Sequence, residues 1–259
     1  MNINVLNSHH RDAYISFDEQ EHKYTYLPDG REFTCVTSLV EDCFEKFDAP
    51  ANARRIVAQR GGTAADVQML LNQWEERGRV ARELGTRMHR RIEAFYLDEE
   101  LPEDSAEPDD ELCMEHFMRF ANAYKLSPYR TEWRIFHKDA ALAGTLDFLG
   151  TMPGGSGLYI YDWKRSSKVV DGKTGVTQNV NHYGRRGLGV MAAYPDCAYY
   201  HYALQLSVYR YILEHEYDMS ISGAFLGVFH PEFSQPYRVA VPYLEREVER
   251  LITHRILKG

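Results

Sequence analysis

Polar and apolar residues alternate along residues 13–36 on both sides of Pro28-Asp29-Gly30, a pattern that predicts a β-hairpin closed by that turn. Val40 and Phe44 anchor a short predicted helix over 38–46. After the Gly61-Gly62 break, Thr63 can cap a helix running to about Trp74. Val80, Leu84, Met88 and Ile92 then recur every four positions, the stripe of an amphipathic helix over 78–97. An acidic, proline-containing stretch at 98–110 reads as a surface linker into a helix over 111–124. Strands follow near 129–138, 141–151 and 158–165, then a weakly periodic connection at 166–200, a helix over 202–217, strands near 221–230 and 236–241 and a helix over 243–256. Connections of more than ~15 residues usually carry function or mobility. The order αβββαβ predicts an α/β fold with a mixed sheet and helices against it. The expected division is an N-terminal hairpin and helical extension (1–77) joined to a core (78–259), together one compact unit.

Composition narrows the class. Hydrophobic residues at 44% and charged residues at 26% suit a globular chain of 259 residues with a buried core. No apolar run approaches the ~20 residues of a membrane span. The N-terminus shows no signal-peptide pattern, so the expectation is a soluble, intracellular protein of cytoplasm, nucleus or a viral replication compartment, not a secreted one. Cys35, Cys43, Cys113 and Cys197 form no C-x-x-C pair and read as free thiols.

The net charge of −8 argues at first against a nucleic-acid partner. Nine of the acids, however, lie in residues 98–111, and the rest of the chain sums to +1. Basic residues cluster at Arg54, Arg55 and Arg60, from Arg77 to Arg91, at Lys164, Arg165, Lys168 and Lys173, and at Arg185 and Arg186. Such clusters can meet phosphates or simply be solvated.

The second and third predicted core strands flank Pro153-Gly154-Gly155-Ser156-Gly157. A hairpin closed symmetrically around Gly154-Gly155 sets Asp147 opposite Asp162, with Cβ atoms ~4.5–5.5 Å apart on one face. Lys164, two residues on, points to that face. Opposed carboxylates repel unless compensated, and a hard divalent cation such as Mg²⁺ would compensate them. The ammonium could orient a water or stabilise charge on a phosphate. The plain alternative is a surface Asp–Asp–Lys cluster.

Gly144-Thr145-Leu146-Asp147 followed by Asp162-Trp163-Lys164 resembles the signature of PD-(D/E)XK nucleases, with Leu146 where the name has Pro. Gly85-Thr86-Arg87-Met88-His89 resembles the upstream G-T-x-x-H helix of the RecB-like branch. Glu132 matches an acidic position of the preceding strand, and Gln205 and Tyr209 match the later Q-x-x-x-Y motif. Val36-Thr37-Ser38 after a hairpin also resembles the mitochondrial genome maintenance exonuclease and related viral nucleases. The resemblance implies a restriction-endonuclease-like core in which Asp147, Asp162, the Trp163 carbonyl and His89 hold one or two Mg²⁺ or Mn²⁺ ions. Lys164 would orient the attacking water, and Glu132 would either assist them or be an ordinary strand charge.

His89 shares a helix line with Gly85 and Glu93, and Gly85 is expected to admit a close backbone approach. Gln205 and Tyr209, at i and i+4, either bond the sheet or organise the site and touch substrate. Ser166 and Ser167 suit phosphate contact or a turn. Lys168, Arg185, Arg186 and Arg87 complete the expected nucleic-acid contacts; the basic and aromatic mix of 166–200 suits single strands or a structural excursion. Some RecB-like enzymes hold an iron–sulfur cluster; with no Cys beyond Cys197, none is expected.

The implied activity is Mg²⁺- or Mn²⁺-dependent DNA hydrolysis, by an exonuclease acting on ends or single strands in replication, recombination or repair, alongside protein partners from those processes. The alternatives are a catalytically silent nucleic-acid-binding module, a structure-specific endonuclease, or a metal-stabilised structural domain.

Overall fold

Residues 13–36 form three strands rather than the two expected. In the computed structural model, which describes residues 2–100 and 108–258, a one-turn helix α1 (Ile3–Leu6) precedes β1 (Ile15–Asp18), β2 (Lys23–Tyr26) and β3 (Arg31–Cys35), an antiparallel meander. The Pro28-Asp29-Gly30 turn joins β2 to β3. The turn between β1 and β2 has neither Gly nor Pro. Asp18 Oδ1 builds it by accepting the backbone N–H groups of Gln20 and Glu21, both at 2.9 Å, so the usual punctuation is missing.

Helix α2 (Val36–Glu41) starts two residues earlier than expected and ends sooner. In α3 (Ala49–Gln59) Asp48 caps the N-terminus, accepting the Ala51 N–H at 2.8 Å. Thr63 caps α4 as expected, reciprocally with Asp66, but α4 runs unbroken for 34 residues, Ala64–Leu97. The two helices read from the sequence are therefore one, and the division at residue 77/78 falls inside it. Gly78 does not break it; Arg79 pairs with Glu76 at 2.6 Å and with Glu83 at 2.5 Å across the same turns. The acidic stretch expected as a linker lies partly outside the described residues.

Helix α5 (Pro108–Tyr124) leads into β4 (Ser127–His137), β5 (Leu142–Thr151) and β6 (Leu158–Lys164). The connection after β6 carries one short 3₁₀ turn, Gly189–Met191. Helix α6 (Ala198–Glu216), β7 (Ile221–Val228), β8 (Tyr237–Val241) and α7 (Glu245–Lys258) complete the chain.

All eight strands join one sheet in the order β1-β2-β3-β5-β6-β7-β8, with β4 also on β5. The β3–β5 and β6–β7 pairs are parallel and the others antiparallel, so the sheet is mixed and the fold α/β. One core cluster joins the sheet to α2, α6 and α7; Met88, Ile92, Phe117, Phe120 and Trp163 join it to α4 and α5 in another. No helix among the described residues is long and apolar enough to cross a membrane.

Candidate metal centre and active site

Strand β5 lies at a fork. Strand β4 runs along one of its edges, and the other edge is shared: β3 pairs at Leu142 and Ala143, β6 from Phe148 to Thr151. Residues 144–147 are left between them. The β5–β6 register is the symmetric one, Phe148 opposite Tyr161 and Thr151 opposite Leu158. At the next rung the strands part. Asp147 Oδ2 instead accepts the Trp163 backbone N–H at 2.8 Å, so its carboxylate replaces a ladder partner.

The side-chain alternation also reverses here. Leu146 and Leu149, three apart, pack in the α6-side core, whereas Phe148 packs on the α4 side. On β4, Arg130 and Trp133, also three apart, both donate to Asp12, at 2.8 and 2.7 Å. Between them Glu132 has φ 44°, in the left-handed region. A non-glycine residue there costs on the order of 1–3 kcal/mol and persists where surroundings over-determine it. Asn4 of α1 supplies part of that constraint, accepting the Thr131 N–H at 2.9 Å and donating to the Thr131 carbonyl at 3.1 Å. The single shared face expected for Asp147, Asp162 and Lys164 is thus corrected. Asp162 and Lys164 look toward α6, and Asp147 looks toward α4.

On the α4 side, His89 Nε2 donates to the Trp163 carbonyl at 2.8 Å. Its Nδ1 lies 3.5 Å from Asp147 and 3.7 Å from Glu132. One ligand atom from each of these three residues falls within 4.8 Å of the others. Burial opposes a charge on His89, yet the Asp147 and Glu132 carboxylates prevail and lift it from 6.5 to about 9. Burial raises Asp147 above its ordinary range against the pull of His89.

On the α6 side, Lys164 Nζ meets Asp162 Oδ2 at 2.6 Å and lies 4.7 Å from the Tyr202 ring centroid. Gln205 Nε2 reaches Asp162 Oδ1 at 3.4 Å and the Tyr209 hydroxyl at 3.3 Å. Burial pushes Asp162 up to about 6, with Lys164 opposing. Burial disfavours the ammonium, but Asp162 and Asp147 hold the Lys164 pKa above its usual value. Gly144 is required for this packing, because a Cβ there would sit 2.6 Å from the Tyr209 ring.

Two carboxylates and an imidazole make an oxygen-rich donor set that would suit Mg²⁺ or Mn²⁺. Its membership differs from the expected one. Glu132 stands with His89 and Asp147, the Trp163 carbonyl adjoins them, and Asp162 is engaged by Lys164 and Gln205.

The other expected contacts divide. Arg87 pairs with the buried Asp110 at 2.7 Å. Arg186 holds its own loop, donating to the Ala192 carbonyl at 2.9 Å and to that of Ala193. Ser166 Oγ accepts the Lys168 N–H at 3.2 Å, a turn contact. Ser167, Lys168 and Arg185 are exposed, and none of the three side chains joins the acidic centre. Gly85 meets no close backbone; a Cβ there would find nothing within 4 Å. It borders a cleft of about 740 Å³ between the meander and α4, with His89 and Glu132 in its lining. Tyr202 was not singled out by sequence, although it precedes Gln205 by three residues on the same helix face.

No protein-family profile and no curated protein matches this chain. Among solved structures, a crystal structure of SSO0001 aligns at 13% identity over 87% of this chain and 75% of that one, with a TM-score of 0.32, too loose to bear on fold or activity.

Proposed function

We propose that this chain is a metal-dependent deoxyribonuclease with a PD-(D/E)XK core of the RecB-like branch, formed by α5, β4, β5, β6, α6 and β7. The observation that carries this is the convergence at one sheet fork of Asp147, the Asp162–Lys164 pair and the His89–Glu132 pair. His89, Glu132 and Asp147 would hold Mg²⁺ or Mn²⁺, beside the Trp163 carbonyl, while Asp162 keeps Lys164 in place on the α6 flank. Such an ion supplies charge stabilisation at the phosphate and acidifies water.

The chain's own residues do the positioning. Lys164 Nζ orients the attacking water and is itself fixed between Asp162 and the Tyr202 ring. Gln205 restrains Asp162, and Tyr209 restrains Gln205. The water oxygen bonds to phosphorus as the opposite ester P–O bond breaks, leaving a phosphate monoester and a hydroxyl.

The test is digestion of 5′- and 3′-labelled single-stranded, duplex and circular DNA with Mg²⁺, comparing wild type with Lys164→Ala. Cleavage that needs a free end and vanishes in the variant supports the reading. Undiminished cleavage by the variant removes it, and cutting of circles removes the exonuclease part.

A further inference from the structure

We propose that the cleft between the N-terminal meander and α4 is a nucleotide subsite of the same centre, receiving unpaired nucleotides of a single strand beside the scissile phosphate. This rests on the nuclease reading and adds to it the place where a single strand would sit and the residues that would select it.

The cleft opens directly onto the candidate metal centre, since His89 and Glu132 belong to its lining. Its volume of about 740 Å³ lies within the roughly 300–1,000 Å³ of sites that enclose one compact ligand. That suits splayed-out single nucleotides rather than a base-paired duplex. The far wall is aromatic: Phe17 stacks on Tyr24 with centroids 4.4 Å apart and meets His22 edge-on at 5.1 Å. A 2.8 Å hydrogen bond between the Tyr24 hydroxyl and Thr145 Oγ1 fixes this wall to β5, two residues from Asp147. Aromatic platforms hold unpaired bases because every base has a π-face.

The cations follow the same plan. Along α4, Arg79, Arg87 and Arg91 are each bound to carboxylates at 2.9 Å or less. The arginines that border the cleft are freer. Arg90 reaches Glu19 only at 4.0 Å, and Arg82 and Arg134 have no ion-pair partner among the described residues. Glu19 and Glu93 also border the cleft, so it is not a groove for phosphates along its whole length. It suits a base flanked by phosphates at Arg82 and Arg134.

Gly85 adds an independent sign. A mid-helix glycine weakens a helix. Here no packing contact calls for it, and the missing side chain leaves open cleft. Leucine at this position would intrude on the ligand's space and on little else.

The experiment measures steady-state cleavage of single-stranded and blunt duplex oligonucleotides with Mg²⁺, together with Mn²⁺ binding by electron paramagnetic resonance. Wild type prefers the single strand. Gly85→Leu folds, binds Mn²⁺ as wild type does and loses single-strand cleavage. Phe17→Ala raises KM about tenfold, the scale of one lost base stack, with kcat little changed, and Phe17→Trp restores it. Wild-type KM in both Gly85→Leu and Phe17→Ala overturns the subsite, as does equal use of duplex and single strand by wild type. A wild-type protein that binds Mn²⁺ but cleaves no DNA overturns the nuclease reading itself, an outcome separable from the other two.

Discussion

On the α6 side of the sheet fork each charge has its partner. Asp162 is held by Lys164 and Gln205, and Lys164 lies between Asp162 and the face of Tyr202. On the α4 side, two carboxylates face a single imidazole at 3.5 and 3.7 Å, and one of them stands on left-handed backbone. The first half is geometry already made. In the second, His89 is the cationic partner shared by two carboxylates, and a cation bound as proposed would take over that compensation. Under the proposed function, separating the two tasks would let the Lys164 ammonium stay in place with or without a metal.

The largest effect that can break this contrast is at Lys164. Lys164→Ala is expected to lower Mg²⁺-dependent cleavage by about 10²–10⁴-fold, the scale of a lost proton-handling group. At pH 8 it also loses about 3 kcal/mol of stability in urea unfolding, because Asp162 stays buried without its ammonium. At pH 5 that loss shrinks, since Asp162 can then take a proton. A variant as stable as wild type at both pH values would show that the α6 half is not a satisfied pair.

Metal should act through the other half. Saturating Mn²⁺ at a hundred times its Kd stabilises a folded protein by about 2.7 kcal/mol. Glu132→Gln is expected to lose most of that thermal shift, whereas Lys164→Met keeps it. Equal shifts in both variants would erase the division of labour.

Glu93, four residues along α4 from His89, sharpens the contrast by pH. Burial, then the nearby Glu132 and Glu99, lift it from 4.5 to about 7. A raised carboxyl favours the fold below its ordinary pKa, and this advantage disappears as pH rises through 7. Glu93→Gln should therefore melt higher than wild type at pH 8 and close to it at pH 4. The opposite order would mean that Glu93 is held as an anion.

The smallest effect concerns α4 itself. Gly78→Ala should add about 0.8–1 kcal/mol, as in any exposed helix interior. The added Cβ meets only the Arg82 guanidinium, at 3.3 Å. A loss of stability would restore a break at residue 78.

Much of this centre was readable because its signals are local. The register that brings Asp147 and Asp162 to one end of a hairpin follows from the Gly154-Gly155 turn, and β6 keeps it as far as Tyr161. The resemblance to RecB-like motifs brought out His89, Gln205 and Tyr209. What escaped depends on contacts between distant segments. Nothing near Glu132 announces a left-handed residue, because Asn4, 127 residues from Thr131, helps to pin that strand. The strict alternation assumed for β5 could not reveal its own reversal. Arg87 looked free because its partner, Asp110, lies on another helix. Gly78 and an apolar stripe that begins only at Val80 split α4 on sequence, yet its capping box and side-chain ion pairs carry it through.

The parallel pairing of β3 with β5 bears on the order of events during synthesis. Thr34 finds its rung opposite Leu142, more than a hundred residues later in the chain. Closing so long a loop is entropically slow, and it follows the local hairpins rather than preceding them. The meander therefore leaves the ribosome early and waits. The aromatic wall of the cleft comes to rest beside Asp147 only after β5 has been made, so a partly synthesised chain has no finished cleft.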